Sequence, residues 1–164
     1  PRRRLQVGRL HPSASFVEIR GNVETRLRKV AEGEVGATVL AAAGLRRLGI
    51  ESYPGLRIEP IAIEDCVPAV GQAAIAVQCR ESEVERFSPY LHGSTRVAVN
   101  LERAFLREME GGCQSAFAAH YAGGKVHLFH DDCGYKTFQV PGDDAKQVPE
   151  DIVEAILGDV GLKK

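Results

Sequence analysis

Residues 15–49, SFVEIRGNVETRLRKVAEGEVGATVLAAAGLRRLG, decide the fold that the sequence predicts. Residues 15–19 alternate and are rich in β-formers, which predicts a strand. Asn22 is a good N-cap for a helix over residues 23–31. A second strand over residues 37–41 and a second helix over 42–48 follow. Alternating strands and helices predict an α/β fold with a parallel sheet.

Ligands bind such sheets beyond the carboxyl ends of the strands, near helix N-termini. Arg20 follows the first predicted strand, and Arg46 and Arg47 lie in the helix after the second. The topology therefore predicts that these arginines gather on one rim. A solvated basic face is the open alternative.

The basic residues of the chain are concentrated at its start. The first 30 residues hold eight basic and two acidic side chains, although the net charge of the whole chain is -1. Seven of the eight are arginines, whose planar guanidinium matches carboxylate or phosphate groups. This bias indicates anion recognition. A nucleic-acid arm is disfavoured, because Phe16 is the only aromatic side chain there for base stacking.

The composition excludes several classes of protein. With 164 residues, 44% of them hydrophobic and 26% charged, the chain is predicted to be globular. It contains no run of 18 apolar residues and no signal-like N-terminus, so neither a membrane span nor secretion is expected. The four cysteines lack CxxC spacing, which favours reduced thiols in a cytosol-like compartment over zinc or disulfides. Because the chain begins at Pro1, we expect the numbering to start inside a longer polypeptide.

Cys113 follows a helix predicted over residues 96–110 and the glycine pair Gly111 and Gly112. Two glycines end a helix readily and leave the next residue on a loop. A thiol placed there can be reached by a ligand. From the residues alone a packed, inert cysteine is the favoured alternative, because most free cysteines are buried.

The second half of the chain predicts a different architecture. Residues 116–122 and 125–129 flank a glycine turn and predict a hairpin, 135–140 a third strand, and 149–157 a helix. These elements predict a small α+β domain over residues 93–164, preceded by a lobe over residues 1–92. His127 and His130 are three apart on a predicted strand and so face opposite sides, which argues against a metal site.

Five motifs, in order and spacing, resemble hydroxymethylbilane synthase (porphobilinogen deaminase). They are RGNVETRL at 20–27, LAAAGLRRLG at 40–49, PAVGQAA at 68–74, ERAFL at 102–106 and EGGCQ at 110–114. The resemblance extends from residue 2 to about residue 122.

The resemblance implies a tetrapyrrole-pathway transferase. Its fold would be a periplasmic-binding-protein-like parallel-sheet lobe followed by a small α+β domain with a three-stranded sheet and helices. Segment 73–91 would return to a first domain, which we expect this chain to lack. The family joins four porphobilinogen units, with loss of ammonia, on a dipyrromethane cofactor held by a cysteine thioether, and releases hydroxymethylbilane by hydrolysis.

The site residues are carried over motif by motif. The cysteine that matches the thioether ligand is Cys113, and Gly111 and Gly112 would form the flexible glycine mount that precedes it. The cofactor-binding arginines are Arg2, Arg3, Arg20 and Arg26, and the substrate-binding arginines are Arg20, Arg26 and Arg47. Each pyrrole carries an acetate and a propionate, so a cluster of arginines suits the growing polyanion.

Departures from the family pattern limit what the resemblance implies. The chain begins at the paired arginines, so the first domain and its catalytic aspartate are expected to be absent and the isolated chain inactive. The usual Gly-Gln-Gly-Ala is here Gly71-Gln72-Ala73-Ala74, and the usual proline shortly after the cofactor cysteine is missing.

The alternative function is a non-catalytic module that binds carboxylated ligands on the same lobe. The expected partners are porphobilinogen, the growing polypyrrole, and the missing N-terminal domain or another chain. Nucleic acid, membrane and metal are not expected. The full-length protein is expected to be a cytoplasmic monomer, with a plastid as the other compartment considered.

Overall fold

The computed structural model describes residues 1–109, 116–140 and 150–162. It divides the chain into two compact units. One consists of Arg3–Cys66, and the other of Pro1–Arg2 together with Val67–Lys164. The domain boundary that the sequence predicts between residues 92 and 93 does not coincide with the limits of these two units. It stays a prediction.

The Arg3–Cys66 unit contains helical structure and turns. Helix α1 runs over Arg2–Leu10, with its first residue in the other unit, and α2 and α3 run over Val23–Ala31 and Ala42–Arg47. Both predictions for α2 are confirmed, because the Asn22 side chain accepts a hydrogen bond of 2.8 Å from the backbone N–H of Thr25. This cap satisfies a backbone donor that no residue within the helix can satisfy.

The predicted parallel sheet is wrong for the part of the chain that the structure describes. Residues 15–19, 37–41 and 73–79 form no strand there, and the only sheet described is antiparallel. A strand exists through hydrogen bonds to a neighbouring strand, and these segments have no such neighbour among the described residues. Some of their apolar side chains are consequently exposed to solvent: Val17 is 69% and Ile75 is 73% exposed.

The second unit contains the sheet. A series of short helical turns comes first, with 3₁₀ turns at Glu81–Glu83 and Ser88–Tyr90 on either side of α4 at Val84–Phe87. The long helix α5 spans Gly93–Glu108, close to its predicted bounds. Helix α6 spans Glu150–Asp159.

The three strands form a simple antiparallel meander, as the sequence predicts. They are β1 at Ala118–Ala122, β2 at Lys125–His130 and β3 at Gly134–Gln139, in the order β1-β2-β3. Gly123 and Gly124 join β1 to β2 with positive φ angles of 57° and 77°. A tight hairpin turn requires this conformation at both positions, and glycine adopts it without steric cost.

The core of this unit lies between α5, α6 and the sheet. Leu101 and Phe105 on α5 pack in one apolar cluster with Leu128 on β2 and Val153 and Leu157 on α6. Each of these side chains is at most 2% exposed. Complete burial of one such side chain contributes about 1.5–3 kcal/mol, so this cluster is the main source of the unit's stability. None of the described helices is both long and apolar enough to span a membrane.

Candidate functional site

The turn before α2 holds the Arg26 side chain against the backbone of the residue that follows Arg20. Gly21 has a φ of +119°, and the Nε of Arg26 donates a hydrogen bond of 2.8 Å to its carbonyl oxygen. A Cβ atom at Gly21 would lie 2.7 Å from the Cγ2 of Thr25, so only glycine fits. The backbone therefore fixes Arg26 beside the residue that follows Arg20.

The positive charge of this turn is only weakly neutralised. Arg20 pairs with Glu18 at 2.9 Å, but the two side chains are 84% and 73% exposed. Such exposed pairs contribute at most about 1 kcal/mol, so an incoming carboxylate can replace Glu18 at little cost. No carboxylate among the described residues pairs with Arg26, whose side chain is half-buried.

The other end of α2 is neutralised by neighbouring carboxylates. Arg28 pairs with Glu32 at 2.8 Å, and Lys29 pairs with Glu34 at 3.4 Å. Because the Arg28 guanidinium donates hydrogen bonds to the Glu32 carboxylate, the pKa of Arg28 is raised above its ordinary value. Of the cationic groups on α2 and beside it, those that remain available to bind an anion are therefore at its N-terminal end.

The remaining predicted arginines of the Arg3–Cys66 unit are placed differently. Arg3 is half-buried and reaches the carbonyl oxygen of Val39 at 3.5 Å, a long and weak contact. Arg47 is exposed in the last turn of α3, where its charge also favours the helix dipole. The guanidinium of Arg4 lies 5.9 Å from the centre of the Phe16 ring, a cation–π contact.

Arg2 belongs to the other unit and binds a loop there. Its Nη1 donates a 2.6 Å hydrogen bond to the carbonyl oxygen of Val67, and its Nη2 lies 3.3 Å from the Oε1 of Gln72. The sequence predicted Arg2 as an anion ligand and did not predict these contacts. Val67 is completely buried, so the contact anchors Arg2 to a fixed part of the unit.

Glu102 is the residue that the sequence analysis missed. It lies on α5 and is only 3% exposed, yet both carboxylate oxygens have partners. Oε2 accepts a hydrogen bond of 2.6 Å from the N–H of Gly71. Oε1 accepts from the N–H of Tyr121 at 3.0 Å and from the Nδ1 of His120 at 2.9 Å. A carboxylate on the buried face of an amphipathic helix, between Leu101 and Phe105, was the signal that could have identified it.

Gly111, Gly112 and Cys113 lie outside the described residues. The flanks of this segment are described: α5 precedes it, and Ala116, buried to 97% of its surface, begins the chain that leads into β1. The predicted attachment point and its glycine mount therefore stay predictions.

The other groups with ligand chemistry are accounted for as follows. Among the described residues, Cys66, Cys79 and Cys133 form no disulfide. His127 and His130 are both buried, and the Nδ1 of His127 lies 2.9 Å from the hydroxyl of Tyr135. His130, Asp131 and Asp132 place their ligand atoms within 4.8 Å of one another. Exposed carboxylates commonly gather in this way at turns, so we assign no metal to them.

Comparison with known proteins gives one consistent family. The family model described as "Porphobilinogen deaminase, dipyromethane cofactor binding domain" matches residues 1–87. A porphobilinogen deaminase of Syntrophotalea carbinolica is 45% identical over 122 residues, which are 73% of this chain and 38% of the relative. One of Pelobacter propionicus is 42% identical over 132 residues, 77% of this chain and 42% of the relative.

A third porphobilinogen deaminase, from Streptococcus sanguinis, is similar over nearly the whole chain. It is 36% identical over 172 aligned residues, which cover 98% of this chain and 56% of the relative. The chain thus spans between about two-fifths and just over half the length of these curated relatives.

Proposed function

Because the chain belongs to the porphobilinogen deaminase family, we propose that it acts in tetrapyrrole biosynthesis as part of a transferase. The reaction joins four porphobilinogen units, with loss of ammonia, and releases hydroxymethylbilane by hydrolysis. The proposed role of this chain is to hold the carboxylated pyrroles and their primer.

The observation that carries this proposal is the pair of guanidinium groups at the turn before α2. Arg26 is fixed by its bond to the Gly21 carbonyl, and Arg20 is engaged only by the exposed carboxylate of Glu18. Two cations held at one turn suit the acetate and propionate of a pyrrole. We assign Arg20 and Arg26 to both cofactor and substrate binding, and Arg47 to substrate binding.

The family model that matches the chain is that of the dipyrromethane cofactor-binding domain. The donors of the described residues fit such a group, because guanidinium groups are suited to its carboxylates. When bound, the dipyrromethane supplies the pyrrole carbon to which the first substrate is joined. We propose Cys113 as its thioether ligand, Gly111 and Gly112 as the mount of that thiol, and Arg2 and Arg3 as further cofactor-binding residues.

The other parts of the proposal follow from the same resemblance. The Arg3–Cys66 unit would belong to a lobe like those of periplasmic binding proteins. No described residue is assigned the acid–base role in ammonia loss, so a further domain or another chain would supply it. We place the reaction in the cytoplasm.

The test compares two exposed arginines of one unit. Arg20 pairs with Glu18 two residues before it, and Arg57 pairs with Glu59 two residues after it, both in exposed positions. Titration calorimetry with porphobilinogen should show about tenfold weaker binding for Arg20→Ala, because a charge-assisted hydrogen bond is lost. Arg57→Ala should bind as the unsubstituted chain does. Equal affinities for the two variants would remove Arg20 from the site.

A further inference from the structure

A loop of the second unit, residues 67–73, is bound by two charged side chains from outside it. We call it the clamped loop. The Arg2 guanidinium binds the carbonyl oxygen of Val67 and the side chain of Gln72, at 2.6 and 3.3 Å. The Glu102 carboxylate accepts the N–H of Gly71 at 2.6 Å. All of these residues lie in the same compact unit.

The backbone of this loop needs such support. Gly71 has a φ of +66°, which glycine tolerates, but Ala73 has a φ of +76°. A residue with a Cβ atom in this region is strained, and strain persists only where surrounding contacts hold it in place. The short bond from Gly71 to a buried carboxylate is one such contact.

Glu102 also connects the two flanks of the Cys113 segment. It projects from α5, which precedes that segment, and its Oε1 accepts the N–H of Tyr121 and the Nδ1–H of His120 on β1, which follows it. Because a carboxylate only accepts, His120 must donate from Nδ1. One buried side chain therefore joins the clamped loop, the helix before Cys113 and the strand after it.

We infer that Glu102 is a positioning residue: it fixes the clamped loop and, through it, the Arg2 guanidinium relative to the flanks of the Cys113 segment. The inference rests on the proposed function, in which Arg2 binds the carboxylates of a cofactor held by Cys113. Loss of the Glu102 carboxylate would leave the Arg2 side chain itself unchanged but would free the loop that orients it.

Glu102→Gln is a selective test. A glutamine has the shape of glutamate but only one acceptor oxygen, whereas Glu102 accepts hydrogen bonds at both. Whichever way the amide is turned, its NH₂ group faces a backbone N–H, either that of Gly71 or that of Tyr121. Two N–H donors that face each other cannot bond, so one of the two connections is broken. Glu108→Gln, an exposed carboxylate on the same helix, is the matched control.

The first readout is independent of any ligand. Hydrogen exchange of either the Gly71 amide or the Tyr121 amide should accelerate at least about tenfold in Glu102→Gln, and both should stay unchanged in Glu108→Gln. Unchanged exchange at both amides in Glu102→Gln would overturn the clamp.

The second readout is the affinity for a free dipyrromethane with acetate and propionate side chains, the group that Arg2 is proposed to bind, measured in a double-mutant cycle with Arg2→Ala. If Glu102 acts through Arg2, Glu102→Gln should weaken binding about tenfold alone and less than about twofold in the Arg2→Ala background. A merely structural Glu102 would cause the same loss in both backgrounds, which would overturn the inference. Gln72→Ala removes only the 3.3 Å contact to Arg2 and should give a smaller loss of affinity, which Arg2→Ala also abolishes. This variant replaces Glu102→Gln if the latter does not fold. An unchanged affinity in Gln72→Ala would overturn the inference.

The two proposals fail in different ways. If the unsubstituted chain binds neither porphobilinogen nor the free dipyrromethane, the proposed function is wrong and the positioning role is wrong with it. If the unsubstituted chain binds and the cycle is additive, only the positioning role is wrong.

Discussion

The β-hairpin region and the segment before α2 have the same kind of sequence and different structures. Residues 15–19 alternate between polar and apolar side chains, as β2 does, but Val17 is 69% exposed and Val126 on β2 is 1% exposed. The partner of β2 lies two residues away across the Gly123–Gly124 turn. The alternation of a sequence therefore produces a strand only where another strand is available to pair with it.

The difference also separates stability from ligand chemistry. The unit that contains the sheet holds the large apolar cluster of α5, α6 and β2. Among the described residues of the Arg3–Cys66 unit, Leu27 is the only apolar side chain that is buried. This unit carries Arg20 and Arg26 of the candidate site. The following variants test whether the two units behave as differently as their burial indicates.

The largest effect is expected in the core beside the sheet. Phe105→Ala removes a ring with no exposed surface and should lower the free energy of unfolding by about 3–5 kcal/mol. Leu106→Ala, on the same helix but 44% exposed, should cost less than about 1 kcal/mol. Urea denaturation measures both. Similar losses would mean that α5 does not bury the face described here.

The second effect lies in the arginine-bearing unit. Gly21→Ala should destabilise the turn before α2 by about 2 kcal/mol, because it adds a Cβ at a φ of +119° and 2.7 Å from Thr25. Gly36→Ala has open space around it and should be nearly neutral. Residue-resolved hydrogen exchange over α2 distinguishes the two. Unaltered exchange in Gly21→Ala would contradict the tight turn.

The third prediction compares the two regions directly with one substitution. Val126→Thr buries a hydroxyl in β2 and should cost about 2 kcal/mol, whereas Val17→Thr should change the stability by less than about 0.5 kcal/mol. Thermal unfolding of both variants is the measurement. An equal cost at Val17 would show that residues 15–19 are buried in solution against a partner.

The smallest effect is a gain. Ala73→Gly relieves the strain of a φ of +76° and should stabilise the second unit by about 1 kcal/mol. Ala74→Gly, in the same loop without a positive φ, should destabilise slightly or leave the melting temperature unchanged. A lower melting temperature for Ala73→Gly would contradict the left-handed conformation.

The sequence predicted those elements whose contacts are local. Asn22 caps α2 through a residue three positions away, and the hairpin pairs across two glycines, so short windows contain the information. The parallel sheet required pairing between distant segments, and the sequence pattern does not show whether the partner is present.

The same reason applies to the candidate site. Arg20 and Arg26 stand in one motif, so a short window contains both, and their role in binding stays a proposal; the structure adds that Arg26 is held to the carbonyl of Gly21, the residue after Arg20. Glu102 was missed because its partners Gly71 and Tyr121 lie 31 and 19 residues away. No local pattern links these three residues.

The most direct test of the account is the intact mass of the chain purified from cells that make tetrapyrroles, where any further domain or chain that supplies the acid–base step is present, compared with that of Cys113→Ser. The account predicts a covalent pyrrole adduct that peptide mapping places on Cys113 and that the serine variant lacks. An unmodified thiol at Cys113, or the same adduct in Cys113→Ser, would contradict the proposal that this chain carries the primer.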